Sequence, residues 1–109
     1  MQTTNDPSAT LGAALAGNPA VQASIEAILD QLRTAQAGLT GACPPDGDHV
    51  ETYEALLERA GEVRGRKSLY PYLGTGLGNG PLVQLADGSV KWDMINGIGV
   101  HMFGHSHPE

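Results

Sequence analysis

The alternation of apolar and polar side chains between residues 81 and 95 constrains the fold of this chain more than any other feature. Two runs with a period of two residues, which is typical of strands, are separated by Asp87-Gly88, a strong signal for a two-residue hairpin turn. Asn96-Gly97 breaks the second run, and extended chain is expected again over residues 98–100. The pattern therefore predicts an antiparallel hairpin in the last third of the chain.

Two stretches before this hairpin have the apolar spacing of amphipathic helices. The first begins at Asn18-Pro19, where Asn is suited to cap a helix and Pro to occupy its first position, and Gly38 stops it. The second covers about residues 48–63, with Asp46 or Asp48 as its cap. The apolar stripes are Val21, Ile25, Ile28, Leu29 and Leu32 in the first helix, and Val50, Tyr53, Leu56, Leu57 and Ala60 in the second.

The predicted fold class is α+β, with two amphipathic helices followed by a short antiparallel hairpin or meander. Residues 1–18 are expected to form a flexible leader, because Leu11 and Leu15 are their only sizeable aliphatic side chains. Residues 19–64 form the two-helix segment, and residues 65–109 form the hairpin segment.

Net charge and cysteine content exclude several classes of function. The formal net charge of −6 lacks the cationic footprint that a nucleic-acid backbone requires. The single cysteine, Cys43, cannot form an internal disulfide, which excludes a disulfide-stapled secreted scaffold. No apolar run approaches the roughly 20 residues that span a bilayer, and the first residues do not resemble a signal peptide. We therefore expect a cytoplasmic protein with no nucleic-acid or membrane partner.

The alternating glycines of residues 74–80 invite interpretation as a phosphate-binding loop. The context does not support that interpretation, because no clear strand precedes them and no Gly-Lys-Ser/Thr sequence closes them. A strand follows where a phosphate loop would lead into a helix. These glycines are therefore predicted to form a mobile or tightly turned loop.

An ordered set of motifs occupies the end of the chain. Residues 80–88 read Gly-Pro-Leu-Val-Gln-Leu-Ala-Asp-Gly and lead to an aromatic-Asp pair, Trp92-Asp93. Residues 96–100 follow as Asn-Gly-Ile-Gly-Val, and residues 104–108 as Gly-His-Ser-His-Pro. In this combination, from near Gly65 onward, the chain resembles the opening segment of class III aminotransferases.

This resemblance implies a fold-type-I enzyme that uses pyridoxal 5'-phosphate to transfer an amino group from an amine or amino acid to a 2-oxo acid. It also implies a homodimer with active sites at the subunit interface, and a hairpin that belongs to the small domain. By position, Asn96, Gly97, Ile98 and Gly99 would line the substrate pocket, and Tyr70 resembles a tyrosine that reaches the substrate in some members. Without the resemblance, the same residues would be interpreted as a turn and as packing side chains.

The family's catalytic lysine has no counterpart in this sequence. The only lysines are Lys67, in a polar basic stretch, and Lys91, beside the hairpin turn. A lysine that binds the cofactor covalently needs a desolvated pocket. The family's phosphate-binding loop and the aspartate that pairs with the pyridine nitrogen are also missing. We therefore expect an amino-terminal fragment of such an enzyme that is inactive by itself.

Two other functions remain open from the residues alone. His101, His105, His107 and Glu109 have the ligand chemistry of a weak zinc site, although they do not form a His-Glu-x-x-His pattern. A small acidic protein-interaction module is also compatible with the two amphipathic helices. Zinc titration tests the first alternative, and cooperative unfolding of the isolated chain tests the second.

Overall fold

The computed structural model describes residues 10–109, and half of the predicted leader, residues 1–9, lies outside the described residues. The described part has an α+β architecture in which three helices precede a three-stranded antiparallel sheet. The elements are α1 (Leu11–Ala16), α2 (Pro19–Gln36), α3 (Gly47–Arg64), β1 (Gly74–Asn79), β2 (Leu82–Leu85) and β3 (Val90–Trp92).

Both helices predicted from the apolar spacing are confirmed, and their ends follow local chemistry. At the start of α2 the Asn18 side chain accepts a hydrogen bond from the Ala20 amide at 2.9 Å. At the start of α3 the Asp46 side chain accepts one from the Asp48 amide at 3.0 Å, so Asp46 is the cap. After α3 comes Gly65 with φ 84°, the left-handed conformation that glycine adopts at low cost.

The described part of the predicted flexible leader contains a short helix, α1. Thr10 caps α1 by accepting a hydrogen bond from the Ala13 amide at 3.2 Å. The six residues of α1 are leucine, alanine and one glycine, and most of them favour helix. All of them are exposed, so the helix depends on local propensity rather than on packing.

The predicted hairpin is confirmed as β2 and β3, with Leu82 opposite Trp92 and Gln84 opposite Val90. The prediction of a two-residue turn is wrong. The Gly88 amide donates to the Leu85 carbonyl at 3.0 Å, and the Leu85 amide donates to the Ser89 carbonyl at 2.8 Å. Within this turn only Gly88 has a positive φ, 82°, which is the geometry of a three-residue loop with a glycine bulge.

The glycine-rich stretch, predicted to be a mobile or tightly turned loop, is instead the edge strand β1. It pairs antiparallel with β2, with an irregularity in register between Gly74 and Gly78. Alternation of apolar and polar side chains normally reveals a strand, but the side chains of β1 are those of Thr75, Leu77 and Asn79, and only Leu77 is apolar. Pairing with β2, which is buried on both faces, decides its conformation.

The prediction of extended chain over residues 98–100 is also wrong. The last strand ends at Trp92, and residues 96–100 form turns. Asn96, Gly97, Ile98 and Gly99 all have positive φ, a conformation that strands do not use.

The hydrophobic core is small and lies between the end of α2 and the sheet. Leu39, Leu82 and Val90 form its buried cluster, with Leu77 packed against them. Among the predicted helix stripes only Tyr53 is buried, while Ile25, Ile28 and Leu56 remain exposed. In the described chain α2 and α3 do not pack against each other. The radius of gyration is 19.3 Å, against about 13 Å for a compact domain of this length. The helix faces are therefore largely uncovered.

None of the helices in residues 10–109 combines the length and the apolar content that a bilayer crossing demands.

Candidate functional site

The four residues predicted to line a substrate pocket form one left-handed turn immediately after the sheet. The φ angles of Asn96, Gly97, Ile98 and Gly99 are 59°, 59°, 58° and 83°. The Asn96 carbonyl accepts hydrogen bonds from the amides of Gly99 at 3.0 Å and His101 at 3.1 Å. The four residues thus form a single local structure, and their contact with a substrate stays a prediction.

This turn stores backbone strain. A left-handed conformation costs an L-residue roughly 1–2 kcal/mol, because Cβ approaches the following carbonyl. Glycine avoids that cost at positions 97 and 99, and asparagine tolerates the conformation better than most residues. Ile98 is β-branched, so at φ 58° it is a true outlier. Strain of this kind persists only where the surroundings over-determine the conformation.

The Asp93 carboxylate is the first part of those surroundings. Its Oδ1 accepts hydrogen bonds from the amides of Ile95 at 3.0 Å and Asn96 at 2.8 Å. The Asp93 amide donates to the Pro81 carbonyl at 2.7 Å. These bonds end β3 at Trp92, although the apolar alternation of the sequence continues to residue 95.

His105 completes the coordination of this carboxylate. Its Nε2 lies 2.7 Å from Oδ2 of Asp93, and the two side chains are only 17% and 16% exposed. An ionised carboxylate can only accept, so Nε2 carries the proton and donates. The hydrogen bond from His105 holds the pKa of Asp93 below its ordinary value; desolvation opposes this, and the Asn96 and Ile95 amides add to the lowering.

A pair of stacked rings connects this hydrogen bond to Gly97 of the turn. The rings of His101 and His105 have centroids 4.1 Å apart and are tilted by 33°. A Cβ atom placed on Gly97 would lie 2.5 Å from Cδ2 of His101. Only glycine fits at this position, because the turn rests directly on the imidazole ring.

The outer side of the turn is apolar and open. The Ile98 side chain is 90% exposed. Between residues 94 and 104 the only ionisable side chain is His101. A large exposed apolar surface of this kind marks a binding site or an interface. Its other exposed members are Met94, Ile95, Val100, Met102 and Phe103.

Tyr70 lies in a different part of the molecule. It lines an open groove of about 550 Å³ between α3 and the sheet, and none of the four turn residues contributes to that groove. Tyr53 holds the same segment: its hydroxyl donates to the Pro71 carbonyl at 2.7 Å and accepts from the Leu73 amide at 3.2 Å. In residues 10–109 no hydrogen bond joins Tyr70 to the turn, so the structure does not bring these two predicted parts together.

Tyr72, two residues after Tyr70, is coupled electrostatically to Asp93, which anchors the turn. Burial raises the pKa of the Tyr72 hydroxyl, and the negative charge of Asp93 and then Tyr53 raise it further. The raised pKa keeps the Tyr72 hydroxyl neutral at neutral pH.

Sequence reasoning missed a polar network that supports the glycine strand behind the site. The buried Gln36 donates through Nε2 to the carbonyls of Gly78 at 3.0 Å and Ser106 at 2.6 Å. The Ser106 hydroxyl accepts from the Gly78 amide at 2.9 Å. Asn79 donates back to the Gln36 carbonyl at 3.1 Å. Gln36 lies at the last position of α2, where helix periodicity contains no signal for such a role.

The histidines considered as metal ligands do not assemble into a ligand set. Within residues 10–109 no three His, Cys, Asp or Glu side chains converge as a metal ion requires. His105 is engaged by Asp93, and Nδ1 of His107 accepts from the Glu109 amide at 3.2 Å.

Comparison of the chain with protein-family models, curated proteins and solved structures gave no match.

Proposed function

We propose that this chain is the amino-terminal part of a class III, pyridoxal-phosphate-dependent aminotransferase, to which it contributes one wall of the substrate pocket. The parent enzyme would be a cytoplasmic homodimer that transfers an amino group from an amine or amino acid to a 2-oxo acid. The observation that carries the proposal is the strained turn of residues 96–99, which presents Ile98 to solvent at 90% exposure. An exposed side chain that needs so much local support is better explained by contact with a ligand than by packing.

The chemistry of that wall fits the carbon chain of a substrate. Gly97 and Gly99 carry no side chains, so a ligand can approach the backbone closely. Ile98 supplies an apolar surface next to them. Tyr70 is not part of this wall, because it lies in a separate groove of the chain.

The residues of this chain do not fit pyridoxal phosphate itself. Lys67 and Lys91 are both exposed, whereas a lysine that binds the cofactor covalently needs a desolvated pocket. We therefore derive no catalytic step from this chain and assign the cofactor to other parts of the parent enzyme. Mixing the chain with pyridoxal phosphate should give no stoichiometric absorbance band; such a band would contradict this assignment.

The uncovered helix faces also favour a chain that works against a larger partner surface. Ile25 and Ile28 on α2 and Leu56 on α3 are exposed although their spacing is that of a buried stripe. The same exposure favours the second candidate, an acidic protein-interaction module. The two differ in autonomy, because a module should unfold cooperatively by itself, whereas part of an enzyme should show only local stability.

A chimera tests the proposed function directly. In a class III aminotransferase of known activity, residues 65–109 of this chain replace the corresponding segment. The chimera is expected to dimerise, bind pyridoxal phosphate and catalyse amino transfer. A chimera that binds the cofactor as a dimer but transfers no amino group would refute the proposal.

A double substitution in that chimera tests the contribution of the turn. Replacing Gly97 and Gly99 with alanine should leave cofactor absorbance unchanged, since neither residue contacts the cofactor in the proposed arrangement. The kcat/KM for the amine should fall by about a hundredfold, the loss expected when a substrate wall moves by about 1 Å. If the double variant retains full kcat/KM, the turn is not part of the pocket.

A further inference from the structure

The ten or so residues around the turn form a loop whose two ends are pinned to the same point. The Asp93 amide donates to the Pro81 carbonyl at 2.7 Å, and the His105 amide donates to the Gly80 carbonyl at 2.9 Å. Gly80 and Pro81 are adjacent in the connection between β1 and β2. The loop is therefore a compact excursion with closed ends, a type that is frequently functional.

The closing contact between those ends is the Asp93–His105 hydrogen bond. At 2.7 Å and with both groups largely shielded from solvent, it has the short length of a charge-assisted bond. Each partner also touches the turn by a second route. Asp93 accepts from the Asn96 amide at 2.8 Å, and His105 stacks on His101, against which Gly97 rests. Both routes reach the first half of the left-handed stretch, one at Asn96 and the other at Gly97.

We infer that Asp93 and His105 are positioning residues, whose hydrogen bond holds Ile98 in its left-handed conformation and so sets the shape of the substrate wall. Neither residue needs to touch the substrate, since both act through the turn. The role in substrate selection depends on the proposed function, whereas the control of the turn does not. Loss of the bond frees the carboxylate to rotate and the stacked rings to shift, and the strained turn relaxes.

Three variants of the full chain separate the hydrogen bond from packing. His105→Phe keeps a ring against His101 but removes the donor. His105→Gln keeps a donor, because the amide nitrogen of glutamine occupies a position similar to that of Nε2. His107→Phe is the matched control, since the exposed His107 belongs to the same motif and does not contact Asp93.

Nuclear magnetic resonance provides the readout. A strong intraresidue NOE between the amide and α protons marks positive φ at Ile98, and exchange of the Asn96 amide reports its bond to Asp93. In His105→Phe the NOE should weaken, and amide exchange should accelerate by about tenfold or more. His105→Gln and His107→Phe should both retain the native signals. The Val90 amide, which donates to the Cys43 carbonyl at 3.1 Å, shows that the sheet is still folded.

Two results would overturn the inference. One is a His105→Phe chain with the native NOE and with Asn96 exchange within twofold of the parent. The other is a His105→Gln chain that loses the turn as completely as His105→Phe, because then the ring and not the hydrogen bond controls it. If the Val90 amide of His105→Phe also loses its protection from exchange, the sheet of that variant has unfolded. The His105→Gln variant then decides whether the hydrogen bond or the ring controls the turn.

The chimera distinguishes failure of this inference from failure of the proposed function. In an active chimera, His105→Phe should raise KM for the amine by about tenfold or more with cofactor absorbance unchanged. An active chimera in which this variant leaves both the turn and KM unchanged refutes the positioning role alone. An inactive, cofactor-loaded chimera with a native turn refutes the proposed function alone.

Discussion

Replacing Gln36 with methionine is expected to release α2 from the glycine strand while leaving the hairpin folded. Gln36 is 8% exposed, and its amide nitrogen donates to two backbone carbonyls, those of Gly78 at 3.0 Å and Ser106 at 2.6 Å. Methionine has the same length and no branch at Cβ, so packing changes little and the two hydrogen bonds disappear.

The magnitude follows from what those bonds leave behind. Each hydrogen bond contributes about 1 kcal/mol net, and a buried carbonyl without a donor costs about 1–3 kcal/mol. Water can reach the Ser106 carbonyl more easily than that of the buried Gly78, because Ser106 is only half-buried. The expected loss is therefore about 2–4 kcal/mol of local stability, which corresponds to roughly 30- to 1000-fold in an opening equilibrium.

Hydrogen exchange measures this loss without requiring cooperative unfolding of the whole chain. The Gly78 amide, bonded to the Ser106 hydroxyl at 2.9 Å, should lose protection by about 30-fold or more, up to its full local stability. The Leu85 amide, bonded to the Ser89 carbonyl in the hairpin turn, should exchange as in the parent. Gln31→Met is the matched control, because Gln31 is an exposed glutamine on the same helix.

Equal Gly78 exchange in the Gln36 and Gln31 variants would refute this reasoning. It would mean that α2 docks through Leu39 and through the bonds that Asn79 donates to the Gln36 and Leu39 carbonyls, and that the two bonds of the Gln36 side chain are incidental.

Two further changes probe the sheet. Gly78→Ala should weaken β1 by about 1–3 kcal/mol, because its added Cβ would overlap Cβ of His105 and would lie 2.8 Å from the Leu82 carbonyl oxygen. Gly74→Ala, whose Cβ meets nothing nearer than 3.7 Å, should cost less. Equal exchange rates along β1 in the two variants would contradict this. Burial raises the pKa of Asp87, but hydrogen bonds from the Ser89 hydroxyl and amide outweigh it, so the net pKa lies below the ordinary value of 3.8. Because the folded pKa is below the unfolded one, this carboxylate stabilises the hairpin above about pH 4, and the contribution is lost as the pH falls through the folded pKa. Asp87→Asn should therefore reduce the acid sensitivity of folding that circular dichroism detects between pH 5 and pH 2. An unchanged pH profile would contradict this role of Asp87.

The helices could be predicted from the sequence because their signals are local. Asn18 and Asp46 lie immediately before α2 and α3 and bond to amides two residues away. The strand pair β2–β3 is almost as local, since one turn at Gly88 brings the two runs together. In each case the residues that decide the structure are neighbours in the chain.

The edge strand and the candidate site could be predicted only in part. Residues 96–99 were predicted to act together, but their left-handed conformation depends on Asp93 and His105, which lie on either side of the loop. The strand β1 has a single apolar side chain, that of Leu77, which is too few for an apolar-polar alternation, and it depends on Gln36, which is 42 residues from Gly78. Tyr70 and the turn were predicted to share a site, and the structure gives Tyr70 a groove of its own.

Capping and apolar spacing therefore determined where α2 and α3 lie, and the two alternating runs around Gly88 determined that a hairpin forms. The tertiary structure decided the rest: that the glycine-rich stretch forms strand β1, that His105 bonds to the Asp93 carboxylate, and that the apolar faces of the helices stay exposed. The physical reason is range. A cap or a turn depends on hydrogen bonds between residues a few positions apart, so a few consecutive residues determine it. The contacts of Gln36 and His105 join chain segments that meet only after the sheet has formed.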